Sequence, residues 1–350
     1  MMTPFFKKSD FVLCDVPVPK GYLQSQTHAG VAIYEGNYYL TTSPYPGPQY
    51  SLWVSYYRKL LRIISRGKLC NKPSGERFEN PCIYIGEKRG KDVPLHFHLM
   101  SHAPLMDTPE PFFSLSSYNS DPDIFIEEGV IYVMNRSVIR TKTFQDEPYE
   151  FMTRIYLIKG VDENGHFKLL SNELVREGND NFVSPSLIKF KERYIVTYMD
   201  NHLVRRKILF DGLFVSSANN VEDAIKADNY AKVNVNGGEM VPWHMSLFQH
   251  RDKLYTIITC AKKNDTSLKM WQMLGEFDDS LTELNIYQTP LTDYNSYRGA
   301  ALVNEDGLFV LYSTTVWENI KASKSVDGRD IVLAKCQFAD LLEHIKGNNY

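Results

Sequence analysis

The sequence predicts an all-β fold, a single five-bladed β-propeller over residues 1–350 with a helical insertion in the first blade. Two observations carry this expectation. The first is composition: 22 Tyr and 19 Phe favour half-buried pleated surfaces over helices. The second is an internal repeat, the feature that decides a fold before any local pattern does.

Five segments share one grammar, a polar or small start, an apolar strand, a tight turn and a second strand rich in Tyr, Ile and Val. They begin at His28 (HAGVAIYEGNYYLTTSP), Asp121 (DPDIFIEEGVIYVMNRS), Ser184 (SPSLIKFKERYIVTYMD), Trp243 (WHMSLFQHRDKLYTIITC) and Tyr297 (YRGAALVNEDGLFVLYST). Each reads as a β-hairpin, because EGN, EEG and NEDG supply the backbone freedom that tight turns need. After a long first interval the starts recur at near-equal spacing, enough for a hairpin and two further strands. Four strands make one propeller blade, and radial stacking of blades covers both faces of each sheet.

The long first interval contains Tyr50 to Cys70, where Leu52, Tyr56, Leu60, Ile63 and Ile64 fall at helical intervals. This predicts the helical insertion, packed on the outer rim. FENPCIYIGEK, EFMTRIYLIKG, HLVRRKILF, KMWQMLGEF and DIVLAKCQF are the expected outer strands. FADLLEHIK closes the chain as a short helix, and FVLCDVPVP near the start is a candidate to complete a blade. No linker rich in Pro, Gly or Ser divides the chain.

Composition also excludes. A net charge of -3 without a long basic run argues against nucleic acid and membrane partners. Cys14, Cys70, Cys82, Cys260 and Cys336 are scattered and form no CxxC pair, so neither a zinc site nor a disulfide framework is read from them. No cofactor and no metal are expected. The N-terminal stretch lacks the signature of a signal peptide, and no run of eighteen apolar residues occurs, so a cytoplasmic protein is the expectation. Oligomeric state stays open.

Repeat geometry then selects a ring. Residues just before each first strand and just after each second strand lie at the same end of a blade and face the central funnel. They are His28; Asp121 and Asp123; Ser184 and Ser186; Trp243 and His244; Tyr297 and Arg298; with Ser43, Asn135, Arg136, Asp200 and Ser313 from the second strands. Arg298 is the most telling, since a guanidinium at the mouth of an apolar strand needs a carboxylate or a ligand.

These blade starts resemble those of the five-bladed glycoside hydrolases, the group that includes families 43, 32, 117 and 130. In family 43 the second-blade motif places an Asp that tunes a pKa, and DPDIFIEEGVIYVMNR matches it with Asp123. The resemblance implies a glycosidase with one carboxyl protonated to donate and one ionised to activate water. The sequence departs at the other two positions. His28, Ala29 and Gly30 stand where the base is expected, and Val183, Ser184 and Pro185 where the acid is expected.

The reading is therefore a glycoside hydrolase-like enzyme acting on an oligosaccharide or polysaccharide. Asp121, Asp123, Asp200 and Glu239 share the acid–base work, with Glu239 as proton donor and Asp121 or Asp123 as base or pKa partner. His28, Arg136, Ser184, Trp243, His244, Tyr297 and Arg298 bind substrate, the aromatic rings by stacking on sugar faces. The alternatives are a non-catalytic glycan-binding propeller associated with surface polysaccharide, and a lyase acting on uronic acids.

Overall fold

The structure is a computed structural model and describes residues 3–19, 25–44, 60, 63–64, 79–87, 92–101, 105–106, 118–140, 151–204, 207–267, 269–292, 296–316 and 329–347. Its strands are β1 (Val12–Leu13), β2 (Gln26–Tyr34), β3 (Asn37–Pro44), β4 (Cys82–Gly86), β5 (Phe97–Leu99), β6 (Tyr118–Glu127), β7 (Val130–Arg140), β8 (Phe151–Glu163), β9 (His166–Gly178) and β10 (Val183–Phe190). They continue as β11 (Arg193–Val204), β12 (Lys207–Ala218), β13 (Ala231–Asn236), β14 (Met240–His250), β15 (Lys253–Lys262), β16 (Met270–Phe277), β17 (Glu283–Ile286), β18 (Ser296–Val303), β19 (Leu308–Val316) and β20 (Arg329–Gln337). Two helices, α1 (Val221–Lys226) and α2 (Phe338–Gly347), accompany them.

The five predicted hairpins are β2–β3, β6–β7, β10–β11, β14–β15 and β18–β19, all antiparallel. Their turns explain the local sequence. Glu35 and Gly36, Glu128 and Gly129, and Lys191 and Glu192 all take positive φ, the two-residue geometry that matches strand twist. Lys191 and Glu192 adopt it without glycine, so the pairing of the flanking strands outweighs the local cost.

Sheet order is β2-β3-β4-β5, β6-β7-β8-β9, an eight-stranded run β10-β11-β12-β13-β17-β16-β15-β14, and β1-β20-β19-β18. The eight-stranded run is two four-strand units joined where β13 and β17 pair in parallel. In the last sheet, Val12 and Leu13 pair with Leu333 and Val332, so a strand from the start of the chain completes the unit built from its end. This is a propeller architecture. HLVRRKILF, expected as one outer strand, instead spans the end of β11 and the start of β12, because pairing in the register Val204↔Lys207 turns the chain there.

The core lies between neighbouring sheets. Tyr39 and Ile83 pack on Ile124 and Ile131; Met134 and Ile155 on Leu187 and Val196; Val183 and Leu213 on Met245 and Ile258. Phe248 and Leu274 pack on Ala301 and Phe309, and Leu302 and Tyr312 on Leu40 and Tyr84. The apolar contacts thus run around a closed circle, and β2, β6, β10, β14 and β18 contact one another in turn around its inside. Of the expected helical insertion, Tyr50 to Cys70, only Leu60, Ile63 and Ile64 are described; they are helical and exposed, and the rest lies outside the described residues. Among the described residues no helix is long and apolar enough to cross a membrane.

Candidate functional site

Each inner strand breaks its register near its start. The shifts fall between Thr27 and Gly30, Ser120 and Asp123, Val183 and Ser186, Pro242 and His244, and Ser296 and Gly299. A bulge bends a strand and re-aims a side chain, and the bulged positions hold His28, Asp121, Ser184, Trp243, Tyr297 and Arg298. His28, Asp121 and Ser184 also have φ of 55°, 54° and 50°, a left-handed conformation that costs a non-glycine residue about 1–3 kcal/mol and clusters at functional sites. The recurrence in three neighbouring units is what a built site looks like.

Asp121 is the hub and is fully buried. Its Oδ2 lies 3.0 Å from Arg136 Nη2 and accepts the Ser184 N–H at 3.3 Å. Its Oδ1 lies 3.3 Å from His28 Nε2, 3.6 Å from His244 Nδ1 and 3.5 Å from Arg298 Nη1. His28 Nδ1 meets Glu79 Oε1 at 2.8 Å, and His244 Nδ1 shares a 2.7 Å hydrogen bond with Ser184 Oγ. Arg136 also donates to the Asn181 carbonyl at 2.9 Å and to Ser120 Oγ at 3.2 Å. Tyr297 covers the two imidazoles, its ring centre 5.2 Å from that of His28 and 4.7 Å from that of His244. Trp243 stands beside His244, half-buried.

Asp123 is held differently. Its Oδ2 accepts from Ser186 Oγ at 2.8 Å and from the Leu187 N–H at 2.9 Å, and Arg298 Nη2 is 3.9 Å from its Oδ1. Ser186 Oγ in turn accepts the Leu247 N–H at 3.0 Å, so one hydroxyl ties β6, β10 and β14 together. Ser186→Ala is expected to cost about 1–3 kcal/mol, the penalty for stranding buried polar partners. A urea midpoint unchanged from wild type would refute that cross-strand role.

Burial would by itself raise the pKa of Asp121, but Arg136, His28, His244 and Arg298 outweigh it and hold the carboxyl well below the usual range. For Asp123 burial prevails over Arg298 and the hydrogen bonds, and its pKa is raised. Burial also pushes His244 well below its ordinary value, which keeps it neutral at pH 7, and lowers Arg298. Burial opposes the charge of Arg136 as well, yet Asp121 and its neighbours leave that pKa raised.

Seven residues selected from the sequence, His28, Asp121, Asp123, Arg136, Ser184, His244 and Arg298, therefore meet in one buried cluster, with Tyr297 and Trp243 against it. Asp200 stands one step away: half-buried on β11, it accepts from the N–H of Asn181, the residue that binds Arg136, and burial raises its pKa. Glu239 is exposed in the turn before β14, where its carbonyl accepts from Lys263, and no hydrogen bond or ion pair joins its carboxylate to the cluster among the described residues.

Glu79 is the residue that sequence reasoning missed. It precedes β4, and its neighbour Asn80 fixes the approach by bonding both the carbonyl and the N–H of Met106. The signal was topological, because a third strand runs in the same direction as the first and starts at the same end of the sheet. The absence of a first-strand carboxylate also has a physical reason. Ala29 is buried in an apolar cluster, and a Cβ on Gly30 would meet Thr41 Oγ1 at 2.6 Å and the Pro122 carbonyl at 3.2 Å. Neither position has room for a carboxylate.

Two groups of described residues bring potential metal-ligating atoms within 4.8 Å of one another, buried His28, Asp121 and His244, and the more exposed Asp200, His202 and Asp211. A separate cleft, lined by His250, Arg251, Asn304 and Asp306 among others, lies at the hairpin-turn end of β14 and β18 and is remote from the bulged starts.

No protein-family model and no curated protein matches the chain. Solved structures do. An N-acetylgalactosamine deacetylase from F. plautii, solved with blood group B trisaccharide, superposes with a TM-score of 0.58 at 13% identity, covering 98% of this chain and 97% of that one. A family 117 glycoside hydrolase from Zobellia galactanivorans gives 0.54 at 10% identity over 93% and 89%. An endo-arabinase from Bacteroides thetaiotaomicron gives 0.53 at 12% identity over 93% and 97%. At such identities the likeness speaks for the fold: this chain has the β-propeller fold on which glycoside hydrolases of families 43 and 117 are built.

Proposed function

We propose that the chain is one five-bladed propeller over residues 1–350 that binds a glycan at the bulged strand starts and hydrolyses a bond in it. One observation carries this reading. Five inner strands, apolar along their length, each place polar, charged or aromatic residues at the same end, three of them in a strained backbone conformation. A ring that served packing alone would have no use for them.

For glycosidic cleavage one carboxyl must be protonated and another ionised. The environment of Asp121 suits the ionised state and that of Asp123 or Asp200 the protonated one. Asp200, only half-buried, is the better placed to reach a leaving group. Trp243 and Tyr297, partly buried against a small apolar cluster at the bulged starts, are the aromatic rings nearest the site on which a sugar would stack. The solved relatives include enzymes named for xylan and arabinan as well as the deacetylase, so the test set is aryl glycosides, xylo- and arabino-oligosaccharides and N-acetylated amino sugars. With a substrate from that set, Asp200→Asn is expected to lower kcat by about 10²–10⁴-fold, the usual contribution of a general acid. An unchanged kcat would remove Asp200 from that role.

A second reading, a glycan-binding propeller without turnover, is favoured by a specific feature. Asp121 and Asp123 are both buried and tied to guanidinium groups, which leaves neither open to a water molecule. Saturable oligosaccharide binding with no hydrolysis of any member of the set would decide for it.

A further inference from the structure

We propose that His28, Asp121 and His244 form a binding site for one divalent first-row transition-metal cation of the zinc type, with Glu79, Ser184 and Arg136 orienting the ligands. The sequence offered no sign of a metal, since the three residues come from three different hairpins. This inference does not depend on the glycan reading.

The first support is an orphan pattern. His28 Nε2, Asp121 Oδ1 and His244 Nε2 are buried atoms that make no hydrogen bond among the described residues, although Asp121 Oδ1 has ionic neighbours in His28 Nε2 and Arg298 Nη1. A buried polar atom left unpaired costs about 1–3 kcal/mol and calls for an explanation. The three atoms belong to the three side chains that could share one ion, with His244 nearing Asp121 Oδ1 through Nδ1 at 3.6 Å.

The second support is the set of groups behind them. Metal-bound histidines almost always bond through the other ring nitrogen to a carboxylate, carbonyl or similar partner, which fixes tautomer and orientation. His28 Nδ1 faces Glu79 Oε1 at 2.8 Å, and His244 Nδ1 faces Ser184 Oγ at 2.7 Å. Asp121 follows the same logic: Arg136 and the Ser184 N–H hold Oδ2, leaving Oδ1 turned to both imidazoles. Spacing agrees as well. Two donors about 2.0–2.1 Å from a tetrahedral ion stand roughly 3.3 Å apart, and His28 Nε2 and Asp121 Oδ1 are separated by 3.3 Å.

Ligand chemistry is the third. The buried carboxylates Glu79 and Asp121 stand in one cluster with the two imidazoles, and match the buried guanidiniums Arg136 and Arg298 in number. Two imidazoles and one carboxylate suit zinc-like ions better than calcium or magnesium, which prefer all-oxygen shells. A cation there would supply Lewis-acid chemistry beside the aromatic faces.

The test is metal analysis of the full-length chain, dialysed against chelator and then titrated with Zn²⁺, Mn²⁺ or Ca²⁺ alone. The expected result is one tight equivalent of Zn²⁺ with a raised unfolding temperature, and weaker uptake of Ca²⁺. Glu79→Gln should weaken zinc binding about 10–100-fold, as loss of such a supporting carboxylate does. His244→Gln should abolish the tight equivalent, and His202→Asn, at the exposed group, should leave it in place. Circular dichroism of each variant confirms that it is folded; if His244→Gln is not, His28→Gln and Glu79→Gln carry the test. The proposal is overturned if wild type binds no tight equivalent, if folded His28→Gln or His244→Gln binds as wild type does, or if His202→Asn is the variant that loses it. Zinc binding without glycan turnover would uphold this site while removing the hydrolase reading, and turnover by zinc-free protein that binds no metal would do the reverse.

Discussion

Asp121→Asn is expected to lower the unfolding free energy by about 3–5 kcal/mol, the range for removing one partner of a buried ion pair. The carboxylate is fully buried and is the direct ionic partner of Arg136 at 3.0 Å and a near neighbour of Arg298 at 3.5 Å. Arg136 would retain its hydrogen bonds to the Asn181 carbonyl and Ser120 Oγ but lose its charge partner, while Arg298 would keep only the ion pair with Asp123 at 3.9 Å. Urea denaturation in the presence of chelator measures the loss without any contribution from a bound cation. The double variant Asp121→Asn/Arg136→Met should recover part of the loss, because it removes the uncompensated charge along with its partner. A loss below about 1 kcal/mol, the value of an exposed pair, would show that Asp121 is not the electrostatic hub.

Phe338→Ala is expected to cost about 3–5 kcal/mol, as truncation of a buried aromatic residue does. Phe338 opens α2 and is almost fully buried. Its ring centre lies 5.8 Å from that of Phe248, 5.1 Å from that of Tyr255 and 5.6 Å from that of Phe309. The same cluster takes in Phe6 and Phe11 from the start of the chain and Leu341 and Ile345 from α2, so it joins both chain ends to β14, β15 and β19. Near- and far-ultraviolet circular dichroism followed through a urea titration should therefore shift together, and Phe338→Leu should shift less than the alanine variant. Fraying of α2 with an unchanged global midpoint would show that the helix is an appendage.

The hairpins were legible because alternation of apolar and polar residues, punctuated by turn sequences, is a local property that the backbone reads directly. For the same reason the starts of the inner strands could be aligned from sequence, which brought out Asp121, Asp123, His244 and Arg298. The turn in HLVRRKILF was not legible, since a continuous β-rich stretch does not show where pairing reverses it. Glu79 escaped because it reaches the cluster from the approach to a third strand. Glu239, adjacent in sequence to β14, is exposed in the turn that begins that strand.

The sequence by itself determined the repeat, the all-β class and the end of each hairpin at which polar side chains gather, since these depend on neighbours a few residues apart. Only the tertiary structure decided that Asp121 is enclosed by groups from four different sheets, that Asp123 is bound to Ser186 and Leu187, and that two histidines far apart in sequence face one carboxylate oxygen. Such placements follow from the closing of the ring and the bulges that open its strands. Which charges then share a buried volume is set by packing between sheets, which no local pattern records.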